Sequence, residues 1–317
     1  EGYDASYNSG GSTSNSVFIS NSPIPQGDEK SHPFYIGMTE ALYGLINNRI
    51  YTYAVLKLFG LAVPRFWTPE GGSVDTGIIE DGKKYIIEST STLSYINKEV
   101  EDAVRMLEIY NKMKATSIVR EVPYEMELEV EGWFNGIQLV SPSYLIFDRS
   151  IMHPLPRSSK LHKESLSKIE EALKKTDFKG AICLRVGLSE DKIYGLHLGM
   201  EMRPMAFEAM KGVAKSLVVI ATASKNAINM YNLWTMQTPL ILSTALKGLP
   251  LFGCSKESKK HLWLSHVISS NGDYSYHGSS NFLGYITARG ETPRECIRRI
   301  ERTKEMLFIP FALNLVF

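Results

Sequence analysis

The sequence predicts an α+β fold in which antiparallel sheets are covered by helices, and three observations point to it. Apolar runs come in pairs around turn signals, amphipathic stretches of helical period alternate with those pairs, and no segment repeats. The order that results is helix, hairpin, helix, hairpin, helix, hairpin, helix, strand, helix. Hairpins make neighbouring strands antiparallel, and the intervening helices must bury their apolar stripes against the sheets. A chain of 317 residues is long enough for a large core.

Residues 1–38 are rich in Ser, Asn, Gly and Pro and have little to bury beyond Val17-Phe18-Ile19, which predicts an irregular arm or linker. From Thr39 to Leu61 apolar residues recur at helical spacing (Leu42, Leu45, Ile46, Ile50, Tyr53, Leu56), and Gly60 with Pro64 supplies the stop. Asp81-Gly82 lies between Ile78-Ile79 and Tyr85-Ile86-Ile87, a hairpin signal. A second helix is predicted over Lys98–Lys114, with Val100, Ala103, Val104, Leu107 and Tyr110 on one face.

Residues 117–147 read as strands. In MELEVEGWF, Met126, Leu128 and Val130 alternate with Glu127, Glu129 and Glu131, so period two puts three carboxylates on one sheet face. Like charges stacked this way require cations, basic side chains or water to answer them, and a solvated face is the plain alternative. Asn135-Gly136 is a turn, with Gln138–Phe147 as the return strand. Residues 160–176 form an amphipathic helix. The next hairpin joins Ala181–Val186 to Ile193–Leu198 through Leu188–Lys192. If the extended conformation persists, it delivers Glu201 and Arg203 on one face, which suits either a phosphate and metal site or a surface ion pair. Residues 206–230 read as a helix with Lys211 and Lys215 on one face, 261–268 as a strand, and 269–281 as a polar loop. Phe282–Gly290 reads as a strand before a last helix with Thr292 at the N-cap, Pro293 at N1 and Glu295 at N3.

A hydrophobic fraction of 44% with 22% charged residues excludes wholesale disorder, and a formal net charge of +1 gives no footprint for nucleic acid or an anionic membrane. No run reaches the roughly 18 to 20 apolar residues of a membrane span, and no signal-peptide pattern opens the chain. Cys183, Cys254 and Cys296 are far apart and form no ligand-like spacing; Cys183 and Cys296 read as small core residues, and the three together suit a reduced, cytoplasmic protein. The histidines are scattered without zinc spacing, and His197 between Leu196 and Leu198 reads as a half-buried strand residue. Arg294, Arg298, Arg299 and Arg302 make a basic strip or a solvated helix face.

Three stretches, in order, resemble the ATP-grasp superfamily and within it the phosphoribosylamine–glycine ligases. They are the helix, Gly-hydrophobic-x-x-Pro and strand of Asn48–Pro64, the strand pair VREVPYEMELEVEGWFNG of Val119–Gly136, and NFLGYITARGETPRECIRRIERT of Asn281–Thr303. The resemblance implies a first lobe over 39–116, a second over 117–250 and a small closing lobe over 251–317, with the family's N-terminal domain lying before residue 1. By position it puts Glu121 and Val122 at the adenine edge and Glu127 at the carboxylate that holds the ribose hydroxyls. It puts Glu201 at a metal-binding carboxylate and Arg203 at a catalytic cation. The implied activity is ATP-dependent joining of a small-molecule carboxylate to an amine through an acyl phosphate, with ATP and Mg²⁺ as cofactors and possibly a homo-oligomer.

The pattern also departs from the family. Tyr85-Ile86-Ile87-Glu88 stands where a strand ends in an ATP-contacting lysine, Ser89–Ser94 replaces a glycine-rich phosphate loop, and Gly199 stands at a metal carboxylate position. A carboxylate in a phosphate pocket repels the triphosphate. Two readings follow: an active ligase, and a catalytically eroded ATP-grasp fold that serves as a structural or interaction module.

Overall fold

The computed structural model describes residues 18–19, 35–36, 44, 46–68, 80, 82–91, 97–100, 117–147, 150–176, 178–200, 203–211, 233–243 and 247–309. The chain divides into two compact units, the first Glu1–Val140, Arg157–Glu201 and Val218–Ala223, the second Ser141–Pro156, Met202–Leu217 and Ser224–Phe317.

In the first unit, β1 (Phe18–Ile19) pairs in parallel with β2 (Tyr35–Ile36). Helix α1 (Arg49–Leu58) starts where the Asn48 side chain accepts from the Ile50 and Tyr51 N–H groups, satisfying two donors that a helix start leaves open. Strands β3 (Phe66–Trp67), β4 (Tyr85–Ser89), β5 (Asn97–Val100) and β6 (Ser117–Glu121) form an antiparallel sheet in the order β3-β6-β4-β5. Every residue of β4 and β6 is buried. Strand β7 (Met126–Phe134) follows. The chain then enters the second unit through β8 (Leu139–Phe147) and β9 (Ile151–Pro154). It returns for a π-turn at His162–Leu166 and helix α2 (Ser167–Leu173). Strands β10 (Gly180–Leu188) and β11 (Ile193–Gly199) complete the order β7-β10-β11.

In the second unit α3 (Pro204–Lys211) precedes β12 (Trp234–Ile241), β13 (Leu249–Leu251), β14 (Leu262–Leu264), β15 (Val267–Ser270), β16 (Asp273–Tyr276), β17 (Phe282–Gly290) and α4 (Pro293–Met306). The strand orders are β8-β9-β12-β17-β14 and β13-β16-β15. The core joins Met236, Leu240, Leu283, Ile286 and Ala288 to Cys296 and Ile300 of α4. Thr292 caps α4, as the sequence predicts, while Glu295 reaches back past the N-cap to Glu291. The Thr292 hydroxyl accepts from the Glu295 N–H and the Glu295 carboxylate from the Glu291 N–H.

Several expectations need correction. Lys98–Val100 are strand, not helix, because β5 pairs with β4 from Tyr85↔Val100 to Glu88↔Asn97 and that pairing overrides the helical period; residues 101–116 lie outside the described residues. The predicted strand 261–268 is two strands of different sheets, broken at His266, whose φ is 54°. The polar loop 269–281 is in large part a hairpin, β15–β16, turned at Asn271-Gly272 with both residues at positive φ. Strand β12 was not anticipated. Its Pro239 is tolerated because pairing to β9 involves only Thr235 and Met236, so no partner there requires the missing N–H. Strand β11 ends at Gly199, and the extended run does not reach Arg203. Ile78-Ile79, Glu201, Lys215 and residues 212–230 lie outside the described residues.

Candidate functional site

Three buried strands of the first unit carry a charge among apolar residues: Glu88 in YIIES of β4, Arg120 (followed by Glu121) in SIVRE of β6 and Arg185 in ICLRV of β10. Their side chains meet. Arg120, with no exposed surface, makes a bidentate pair with Glu88: Nε donates to Oε2 at 3.2 Å and Nη2 to Oε1 at 3.2 Å. Arg49 approaches the same carboxylate at 3.5 Å while its Nε donates to the Ser89 carbonyl at 3.1 Å. A cation in the first turn of α1 opposes the helix dipole, and Glu88 offsets that cost. The Tyr53 hydroxyl donates to Glu88 Oε2 at 3.1 Å, and Arg185 Nη2 lies 3.9 Å from Oε1.

These charges set the ionisation of their neighbours. Burial pushes the Glu88 carboxyl up, but Arg120, then Arg49 and Arg185, outweigh it and hold it below the ordinary carboxylate value. Burial, reinforced by Glu88, raises the Tyr53 hydroxyl and keeps it a donor. His197 on β11 is pushed down to about 3 by burial and then by Arg185 and Arg49, so it is neutral. It sits half-buried opposite Arg185 in the β10–β11 register.

The cluster extends toward solvent through Tyr124 and Glu127. The Tyr124 hydroxyl donates to Glu127 Oε1 at 2.5 Å and accepts from Arg120 Nη1. Glu127 also lies 3.5 Å from Arg120 and 3.9 Å from Arg185, with a third of its side chain exposed. The carboxylate face of β7 is therefore not the solvated surface weighed from the sequence. Exposure falls along it to zero at Glu131. Among the described residues, a group able to hold a metal ion is Glu129, Glu131 and Cys183, whose ligand atoms lie within 4.8 Å of one another; each has further interactions of its own.

Of the residues expected at the site, Glu127 lies in this cluster. Glu121 lies at the end of β6, buried, with its carboxylate 3.0 Å from Lys83 Nζ and 3.8 Å from Arg65 Nε. The Val122 N–H donates to the Lys84 carbonyl at 2.9 Å, extending the β4–β6 ladder. Arg203 precedes α3 in the second unit, and Glu201 lies outside the described residues. Sequence reading singled out Glu88 as a departure but missed its partners Arg49, Tyr53, Arg120, Tyr124 and Arg185. The available signal was a charge among apolar residues in each of three strands, acidic at Glu88 and basic at Arg120 and Arg185.

Among the described residues, two positions depart from what the resemblance expects of a triphosphate and metal site. The strand position expected to present a lysine presents a carboxylate already saturated by guanidinium groups, and β11 ends in Gly199 where a metal carboxylate is expected.

Comparison with solved structures shows an ATP-grasp fold. The chain superposes on phosphoribosylamine–glycine ligase of Thermotoga maritima with a TM-score of 0.67 at 14% identity, covering 88% of this chain and 80% of that one. It superposes on the biotin carboxylase domain of Hydrogenobacter thermophilus 2-oxoglutarate carboxylase at 0.63, with 11% identity and coverage of 90% and 71%. For the L-amino acid ligase of Bacillus licheniformis the values are 0.52, 15%, 90% and 76%. No family model matches the chain, and no curated protein matches it in sequence. Among the described residues, no helix is long and apolar enough to cross a membrane.

Proposed function

We propose that this chain keeps the architecture of the ATP-dependent carboxylate–amine ligases and serves as a structural or interaction module, its phosphate end rebuilt as an internally paired ion cluster. The observation that carries this reading is Glu88: almost wholly buried, bound on both oxygens by Arg120 and approached by Arg49 and Arg185. A triphosphate brought there would have to displace Glu88 from guanidinium groups that the carboxylate already engages in a low-dielectric setting. The adenine edge supports the same reading, since the Val122 N–H is engaged by Lys84 and the Glu121 carboxylate by Lys83 and Arg65.

The second reading is an active ligase that joins a small-molecule carboxylate to an amine, with ATP and Mg²⁺, using Glu121, Val122, Glu127, Glu201 and Arg203. It is favoured by the partial exposure of Glu127, which leaves a carboxylate in reach of a ligand hydroxyl. Thermal unfolding with Mg-ATP separates the two. A ligand a hundredfold above its Kd stabilises by about 2.7 kcal/mol. The module reading expects no saturable rise in Tm. A saturable rise that Glu127→Ala abolishes establishes the ligase pocket instead.

A further inference from the structure

We propose that Tyr124 is a built-in occupant of the nucleoside position, an aromatic side chain that fills the slot between the adenine edge and the ribose carboxylate from within the chain. The inference rests on the reading above for where that slot lies, and extends it from the phosphate end to the base and sugar. Tyr124 sits in the short connection 122–125, between Glu121–Val122 and Glu127, and the connection is pinned by the Glu125 N–H donating to the Leu188 carbonyl at 3.0 Å.

The opposing strand is shaped for the ring. Gly187 of β10 is buried directly beneath it, and a Cβ there would overlap the Tyr124 ring, so the strand offers a notch that only glycine leaves open. The Tyr194 ring lies 6.3 Å away, and the Arg120 guanidinium stands 5.6 Å from the ring centroid, a cation–π contact. At its far end the ring presents a hydroxyl that donates to Glu127 at 2.5 Å. A planar aromatic body with a hydroxyl delivered to a carboxylate is the arrangement a nucleoside would bring: base on the glycine floor, sugar hydroxyl on Glu127. Because the occupant is covalently tethered, its effective concentration is on the order of millimolar, enough to exclude a free ligand that binds more weakly than that. The chemical class the vacated slot would take is a nucleoside without phosphates.

The test is calorimetric titration and thermal unfolding of the full chain with adenosine, for wild type, Tyr124→Ala and Tyr124→Phe. Wild type and Tyr124→Phe are expected to show no saturable response. Tyr124→Ala is expected to bind adenosine saturably, with a Kd about a hundredfold below the highest concentration at which wild type stays silent, the low end of what tethering supplies, and to lose that response when Glu127→Ala is added. The aryl compound p-cresol serves as control, because an emptied apolar cavity can accept a small aromatic without being a nucleoside site. A folded Tyr124→Ala that ignores adenosine, that responds to p-cresol alone, or that responds no more than wild type overturns the proposal. If Tyr124→Ala does not fold, Tyr124→Leu is titrated in its place with the same outcomes. A wild-type response to Mg-ATP defeats the module reading; a silent Tyr124→Ala beside a wild type silent to Mg-ATP defeats only this inference.

Discussion

The two units solve the same packing problem in opposite ways. In the second, α4 lies against β12 and β17 through Met236, Ile286, Ala288, Cys296 and Ile300, an apolar cluster, with the buried Glu208 and its neighbour Arg289 outside it. In the first, α1 delivers Arg49 and Tyr53 onto a sheet whose interior holds Glu88 and Arg120, both essentially without exposed surface. Burying a matched ion pair stabilises a fold no better than well-packed hydrocarbon does, whereas leaving one partner alone is severely destabilising. A region that uses charges where its neighbour uses apolar side chains has therefore been shaped by something other than stability. Glu88, at its centre, stands where the resemblance expects an ATP-contacting lysine.

The contrast can be broken at several points. The largest effect is expected from Arg120→Met, which strands Glu88 in the interior and should cost about 3–5 kcal/mol in urea denaturation. Adding Glu88→Met should return most of that loss, and a double variant as unstable as the single one would mean the pair matters through packing rather than charge. Ile300→Ala in the other unit should cost about 2–5 kcal/mol through cavity formation, with no partner substitution able to restore it. Next is a pH effect confined to the charged region. His197 takes up its proton only near pH 3 when folded, against 6.5 for an ordinary histidine. Between those values the unfolded chain binds a proton that the folded chain refuses. Its contribution to stability is thus complete above about pH 6.5 and falls as the pH drops, by up to about 1.4 kcal/mol per unit. Denaturation curves from pH 7 to pH 4 should show this slope for wild type and a reduced one for His197→Gln, while Ile300→Ala leaves it unchanged. The smallest effect is expected from Thr292→Ala, about 1 kcal/mol for the lost cap of α4, independent of pH in this range.

How legible each region was in the sequence follows the same division. Period and turn chemistry sufficed where structure is local: the Thr292 cap, the β10–β11 hairpin, and the stop of α1 at Gly60, though not its start at Arg49, which the helical period from Thr39 ran past. They failed where a distant strand decides the outcome. The stretch Asn97–Val100 has a helical pattern and is drawn into β5 by β4, and β14 and β15 part at His266 because they pair with different strands. Asn271-Gly272 was legible and went unread, because the polar residues around it look like loop. At the site, the sequence flagged Glu88 as out of place but not its answer. Arg49, Arg120 and Arg185 lie 39, 32 and 97 positions from Glu88 in the chain, and nothing local announces that they converge on it.

The central claim is that Glu88 is a carboxylate held ionised by its own arginines. Following its side-chain carboxyl resonance by carbon NMR against pH in the intact protein tests that most directly. The account predicts that the group stays ionised below pH 4.5, the ordinary value for a glutamate, and protonates only as the fold is lost in acid. Titration above pH 4.5 would mean that burial outweighs the guanidinium groups, and would contradict the claim that the arginines hold Glu88 ionised.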